Sequence, residues 1–358
     1  MQIVIAGLGL MGGSMALAIK QNLPQLKILG YDLPHVAEEA LQRNIIDGII
    51  TDWPGQCRDA DLIFLATPLR ILKQHLTDLN GVVSKSTLVT DMGSTKQQLQ
   101  ELVERLAFSG TYVGGHPMTG AEKSGLNAAN ALLFENAVYI LTNTESCDPE
   151  LLEQKLLFIL KAIKSRVLFL DPGIHDKILA AISHLPQILA IDLVNLVGDR
   201  DSEEYPYLQL AAGGFRDLTR IASSSIDIWQ DIFQSNRENV RQVIRELIKI
   251  LQNNLEKLDN LAEDFNKANQ YRQRVPKAGK GFMAPLTDVM VYVTDQVGVI
   301  AKIANALSRH KIDIRDIELL KIREKEGGVF RLSFANLDEA QTAVTVLEEI
   351  GYQAAIRE

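Results

Sequence analysis

Residues 2–12 read QIVIAGLGLMG. Gln2–Ala6 is a short apolar run, as expected of a parallel strand buried on both faces. It passes directly into Gly7-Leu8-Gly9-Leu10-Met11-Gly12, a G-x-G-x-x-G spacing between a predicted strand and a predicted helix. The first glycine permits a tight turn. The second lets backbone approach a pyrophosphate, and the third lets helix and strand pack closely. Asp32 stands twenty residues beyond Gly12, at the end of the next predicted strand. A carboxylate there accepts hydrogen bonds from an adenosine ribose and repels a 2′-phosphate. Leu33-Pro34-His35 holds no arginine to reverse that preference, so NAD is expected rather than NADP. The competing reading is a glycine turn that only packs, with Asp32 capping the following helix.

Outward from this loop, strand-like runs recur at 28–31, 62–66, 88–90, 112–114, 138–141 and 167–170, with amphipathic stretches such as 34–43 and 95–107 between them. This alternation predicts an α/β fold with a Rossmann-type, doubly wound sheet over 1–170, gathering its ligands at the carboxyl ends of its strands. Thr67 and Pro68 close one such strand and are expected to line the cofactor, although a plain strand-ending turn explains them equally well. From Asp171-Pro172, an N-cap followed by proline, strand signals vanish. Val240, Ile244, Leu247, Leu251, Leu255, Leu258 and Leu261 recur every three or four residues after Ile226, which predicts one long helix whose apolar stripe needs a partner. An all-α domain over 171–270 is expected, contributing to a subunit interface. Residues 271–284 read as a basic linker. Residues 285–358 carry an α+β pattern, βαββαβ, with strands at 288–294, 312–323, 329–334 and 352–356, helices at 299–309 and 337–350, and a Gly327-Gly328 turn.

The 358 residues carry 37 Lys+Arg against 45 Asp+Glu, a net charge of -8, which disfavours a nucleic-acid partner. Hydrophobic residues at 46% exclude a disordered chain. Two cysteines, Cys57 and Cys147, support neither a disulfide framework nor a zinc site, and no metal is expected. The uncharged stretch 3–19 has no basic segment before it and is interrupted by four glycines, so it reads as strand and helix rather than a signal peptide. No other long uncharged apolar run stands out, and a soluble, cytoplasmic chain is expected.

Polar residues cluster where apolar periodicity breaks: DMGSTK at 91–96, GGHPMTG at 114–120, SHLP at 183–186 and GGFRDLTR at 213–220. A histidine between glycines and a proline suits a general base, and an arginine can grip a carboxylate bidentately. Taken singly, His116 reads equally as a turn residue, His184 as a satisfied helix histidine and Arg220 as a solvated charge. Together, GLGLMGGS, DMGSTK, GGHPMTGAEKSG, HDKILAAISHLP and GGFRDLTRIA, in this order, resemble the TyrA family of prephenate and arogenate dehydrogenases over roughly residues 1–270. The C-terminal pattern resembles an ACT domain, with 295–300, DQVGVI, similar to its effector loop.

The resemblance implies NAD-dependent oxidative decarboxylation of prephenate to 4-hydroxyphenylpyruvate in tyrosine biosynthesis. It implies that His116 hydrogen-bonds the C4 hydroxyl and promotes its oxidation, and that Ser94 orients this histidine and the substrate. Arg220 then binds the ring carboxylate, His184 lies near the substrate, and Asp217 fixes the arginine segment. Ser224 and Trp229 match positions that reach the partner's site in a homodimer. Gln187 stands where many prephenate-type members carry a second histidine, which leaves arogenate dehydrogenase as the close rival. Ser224 and Ser225 offer no acid for an ammonium group, although Asp227 is near, and prephenate is favoured. Asp295, Gly298, Val299 and Asn305 are the implied effector residues, with tyrosine the implied inhibitor. A non-catalytic NAD and amino-acid sensing module is the rival of another class.

Overall fold

The computed structural model describes residues 1–120, 123–275, 286–294, 296–323 and 327–357. They form two compact units, Met1–Asp259 and Asn260–Glu358.

The first unit is built on eight strands: β1 (Gln2–Ala6), β2 (Lys27–Tyr31), β3 (Gly48–Ile49), β4 (Leu62–Leu65), β5 (Leu88–Asp91), β6 (Thr111–Pro117), β7 (Val138–Thr142) and β8 (Arg166–Phe169). Their order is β3-β2-β1-β4-β5-β6-β7-β8. The chain therefore winds one way from β1 to β3 and the other way from β4 onward. The switch point lies between β1 and β4, beside the glycine loop. Side chains alternate between two apolar cores. Ile3, Ile5, Ile28 and Phe64 enter one, and Val4, Ala6, Ile63, Leu65 and Val89 the other. That two-sided burial is why the strands read as unbroken apolar runs. Helix Leu10–Asn22 covers the first face through Met15, Ala16 and Ile19. Helix Leu69–Leu79 covers the second through Leu72, Leu76 and Leu79.

The structure adds two features to the sequence reading and corrects one expectation. The sheet is mixed, because β6 and β7 pair antiparallel while the other neighbouring pairs run parallel. The two-residue strand β3 carries too few residues to show a period. The expected single helix after Ile226 is two, Ile226–Ser235 and Arg237–Leu255. They break at Asn236 (φ -116°, ψ 25°), whose side chain is drawn inward to the carbonyl of Asp176 at 2.7 Å. Beyond the break Ile248, Leu251, Leu255 and Leu258 stay exposed in the single chain.

One further apolar stretch escapes a search for uncharged runs. Pro172–Gly198 is the one helix, among the described residues, long and apolar enough by composition to cross a membrane. His175, Asp176, Lys177, His184 and Asp192 punctuate it. Ile174, Ile178, Ile182, Leu189 and Leu196 leave an apolar stripe on its outer face.

The second unit opens with helix Ala262–Arg274. Strands β9 (Thr287–Val293), β10 (Asp316–Arg323), β11 (Gly327–Phe334) and β12 (Gln353–Ile356) form an antiparallel sheet in the order β10-β11-β9-β12. Helices Val299–Arg309 and Leu337–Glu349 bury Ile303, Leu307, Ala343 and Leu347 with Val289, Val291, Leu332 and Phe334 of the sheet. This is the expected βαββαβ unit. Gly327 and Gly328, expected to form a turn, already lie in β11.

The third glycine of the loop is a packing requirement. A Cβ on Gly12 would stand 1.8 Å from the Gly7 carbonyl oxygen and 3.0 Å from Ile5 Cγ2. Gly12→Ala should force the helix off the strand and cost about 1–3 kcal/mol, read as a lower urea midpoint with a parallel loss of NAD affinity.

Candidate active site

The cradle for a dinucleotide is shaped by backbone. Gly7 has φ +93°, and a Cβ there would stand 2.7 Å from the Ala66 backbone, so β1 and β4 approach closely only because it is glycine. Gly9 faces open space: a Cβ there would meet nothing within 4 Å, which leaves its backbone accessible to a ligand. No side chain caps helix Leu10–Asn22 and no acid sits in its first turn, so its leading N–H groups suit an anion. Leu8 is buried in the core, while its N–H donates to Asp32 Oδ2 at 2.5 Å. Asp32 Oδ1 accepts from Leu33 N at 2.6 Å, and the helix Pro34–Gln42 has no side-chain cap, which removes the capping alternative for Asp32. Leu10 and Met11 are half-buried at the mouth of the loop. At the end of β4, Thr67 Oγ1 is buried without a hydrogen-bond partner, and Pro68 is exposed beside it. An orphaned hydroxyl and an open glycine on the same sheet edge fit a bound dinucleotide.

Beside this edge lies a buried polar assembly. Lys96 and Asp91 have fully buried side chains and form an ion pair. Lys96 Nζ also donates to the Gly115 carbonyl at 2.7 Å. Asp91 further accepts from Tyr112 OH at 2.7 Å, Gly115 N at 3.1 Å and Gly93 N at 2.8 Å. Gly115 is glycine because a Cβ would meet the Asp91 carbonyl oxygen at 2.4 Å. Burial pulls the Lys96 ammonium below its usual range against the pull of Asp91. Burial and the same carboxylate push the Tyr112 phenol well up.

This assembly sets His116. The sequence puts the residue just past a strand, whereas β6 runs through it to Pro117, so His116 is held by the β6–β7 ladder. Its Nδ1 lies 2.8 Å from His175 Nε2, and His175 Nδ1 lies 2.7 Å from Asp176 Oδ1. Asp176 in turn accepts from Lys96 N at 2.8 Å and Gln97 N at 3.0 Å. Burial, then His175, Lys96 and His184, hold the His116 imidazole well below the usual histidine range, so it is neutral at pH 7, with a nitrogen lone pair free to accept a proton. The Nδ1 of His116 is taken by His175, while Ser94 is half-buried and, among the described residues, makes no side-chain hydrogen bond.

His184 is buried and reaches Asn236 Nδ2 through Nδ1 at 3.2 Å. Eight residues separate it from Asp176, about 800° of unbroken α-helix, which would set the two about 80° apart. A π turn at Ala180–His184 absorbs one residue and brings both to nearly one face. Asn236 then binds the pair together. Burial pushes His184 down to about 4, with Asp176 opposing.

Trp229 stands edge-on to His184 of its own chain, with centroids 6.1 Å apart. Gln187 is buried and its Nε2 donates to the Ile221 carbonyl at 3.0 Å, tying the helix to the arginine segment, while Oε1 is buried without a partner. Asp217 is exposed on helix Gly213–Thr219 and makes no hydrogen bond or ion pair with another described residue. The helix end is held by Thr219 Oγ1 on the Phe215 carbonyl at 2.6 Å. Arg220, Ser224, Lys123 and Gly120 line one cavity of about 720 Å3. Gly120 and Lys123 lie in the loop that follows β6, so the cavity sets that loop beside the TRIA stretch; His116 is not among its described lining residues.

In the second unit, Gly298 has φ +90°, and with Val299, Thr294, Gln296, Leu319 and Phe330 it lines a cavity of about 280 Å3. Asn305 is exposed farther along the helix and is not among its lining residues, because the helix carries it past the loop. Asp295 lies outside the described residues.

Family models match three stretches of the chain: the nucleotide-binding domain of prephenate dehydrogenase over residues 15–169, its dimerization domain over 171–271, and an ACT domain over 287–351. Over 97% of its length the chain is 38% identical to the prephenate dehydrogenase of Bacillus subtilis, of which it covers 95%. The chain belongs to the prephenate dehydrogenase family. Within that family of NAD-binding oxidoreductases it carries the dimerization and ACT domains as well. The prephenate dehydrogenase of Aquifex aeolicus, solved with hydroxyphenyl propionate and NAD+, superposes with a TM-score of 0.70 at 31% identity, over 77% of this chain and 98% of that one. Synechocystis arogenate dehydrogenase gives 0.68 at 27% identity, over 77% and 100%.

Among the residues that matter, Asp91, Lys96, His175, Asp176 and Asn236 carry no role that the sequence assigns. Only DMGSTK and HDKILAAISHLP, where charges interrupt the apolar pattern, signal four of them.

Two outcomes follow from these charges. Lys96→Met leaves Asp91 buried and unpaired, and should cost about 3–5 kcal/mol, read from urea unfolding. His184, ordinarily 6.5 and about 4 when folded, binds fewer protons folded than unfolded between those values. Its contribution is complete above pH 6.5 and is lost as pH falls toward 4. Stability should therefore decline over that window, and His184→Asn should flatten the decline.

Proposed function

We propose that this chain oxidises and decarboxylates prephenate to 4-hydroxyphenylpyruvate with NAD, using His116 as the base. The observation that carries the reading is the neutral His116 held on β6, with its loop and Arg220 lining one cavity. His116 Nε2 accepts the C4 hydroxyl proton as C4 is oxidised. Arg220 pairs with the ring carboxylate and holds the ring in place until carbon dioxide leaves. NAD, when bound, supplies the hydride acceptor, with Gly7, Gly9 and Gly12 cradling its pyrophosphate and Asp32 its ribose. Ser94 and His184 face the substrate in this reading.

Lys123 and Arg220 are among the described residues that line the cavity, and Ser224 brings no acid. Cationic lining groups suit the dianion prephenate over arogenate, whose ammonium wants a carboxylate. One observation favours arogenate: the carbonyl Oε1 of Gln187 is buried and unpartnered, and would accept from an ammonium.

The exposed stripes of Pro172–Gly198 and Arg237–Leu255 support a homodimer, in which Ser224 and Trp229 sit near the partner. Tyrosine is the proposed inhibitor, bound by Gly298 and Val299 through the loop cavity. The proposed domain limits are 1–170, 171–270 and 285–358, with 271–284 the linker, and the proposed location is the cytoplasm.

NADH formation with prephenate and arogenate, each with NAD and NADP, tests the assignment. Prephenate with NAD should be fastest, and faster turnover of arogenate would reverse the choice. His116→Asn should lower kcat about 10²–10⁴-fold with NAD binding retained. Arg220→Ala should raise KM for prephenate roughly 10- to 100-fold; unchanged constants would remove Arg220 from the site.

A further inference from the structure

We propose that His175 and Asp176 are positioning residues that impose one tautomer on His116, with the proton on Nδ1 and the lone pair on Nε2. This rests on the base role given to His116 above. The order of the three groups makes the hydrogen-bond chain directional. Asp176 acts here as an acceptor, with both oxygens facing N–H donors. It is anchored by the backbone N–H groups of Lys96 and Gln97 at 2.8 and 3.0 Å. His175 Nδ1, 2.7 Å from Oδ1, must therefore carry its proton. With its one proton on Nδ1, His175 offers a bare Nε2, and His116 Nδ1, 2.8 Å away, must donate to it. A neutral His116 is left with a bare Nε2, the atom that a base needs. The opposite tautomer of His116 would set two lone pairs face to face.

The arrangement also has an energetic side. When Nε2 takes the substrate proton, His116 becomes a cation among groups that oppose it. Lys96 and His184 face it from the loop after β5 and from the Pro172–Gly198 helix, and His175 touches it directly. Asp91 compensates Lys96, with which it is paired. Asp176 is the carboxylate at the end of the histidine chain, and it strengthens both hydrogen bonds as the charge forms. Neither His175 nor Asp176 touches the reacting atoms in this scheme; both act through His116.

The test combines kinetics with nitrogen NMR of histidine-labelled full-length protein. The chain has six histidines, assignable by His116→Asn and His175→Gln. In the unaltered protein near pH 7, both His116 and His175 should show a protonated Nδ1 and a bare Nε2. A protonated Nε2 on His116 overturns the proposal, whether or not any variant folds. Asp176→Asn can donate to His175 Nδ1 and reverse the chain. It should lower kcat about 10²–10⁴-fold, as when a histidine base is held in the wrong tautomer, with KM and NAD affinity little changed. The His116 tautomer signal should move with it. Asp176→Asn with wild-type kcat, or with reduced kcat and an unmoved tautomer signal, also overturns it. If His116→Asn itself retains turnover, the base reading fails; if that variant is inactive and the tautomer is wrong, only the relay fails.

Discussion

The buried ion pair of Lys96 and Asp91 is the constraint on which the site depends. Two charges removed from water are tolerated only when every remaining donor and acceptor is used. Here Asp91 collects Lys96, Tyr112, Gly93 and Gly115, and Lys96 adds the Gly115 carbonyl. These bonds lock the end of β5 to the middle of β6. They also fix where the Lys96 backbone N–H points, and that N–H holds Asp176. The strand that carries His116 and the helix that carries His175 are thereby registered against each other by one polar cluster.

From this cluster the chemistry is assembled out of distant stretches. His116 and His175 are separated by 59 positions, Asp176 and Lys96 by 80. The π turn before Leu185-Pro186 rotates His184 onto the face of Asp176, and Asn236 from the broken long helix binds both. The break at Asn236, which disturbs an otherwise regular amphipathic helix, is thus part of the site. Local regularity is given up where a side chain is needed inside. The arginine segment is attached more lightly, through Gln187 and the Ile221 carbonyl, and its surface remains exposed in the single chain. That exposure matches the dimerization domain the segment belongs to.

The C-terminal unit is self-contained in its packing, with its own apolar core between four strands and two helices. Its cavity forms where Gly298 takes a positive φ at the start of the helix, next to β11 and β10. A side chain at that position would be strained, so the glycine there is a backbone requirement of the loop.

Much of the architecture was legible in the sequence. Continuous apolar runs on strands buried from both sides, glycines with a strand before and a helix after, and an acid at the end of the next strand are local signals with local causes. They determined the doubly wound sheet, the dinucleotide cradle, the helical segment and the βαββαβ unit, and quoted motifs placed His116, His184 and Arg220 among the candidates. What only the tertiary structure decided is which polar groups face inward and which meet. Lys96, Asp91 and Asp176 stand where charges interrupt the apolar pattern, but the partners that bury them lie in other parts of the fold and no spacing rule reports them. The contacts of His175 with His116 and of Gln187 with the arginine segment are announced by no motif. Hydrogen bonds are short and directional, so their partners are fixed by the folded backbone, whereas burial patterns repeat along the chain and can be read from it.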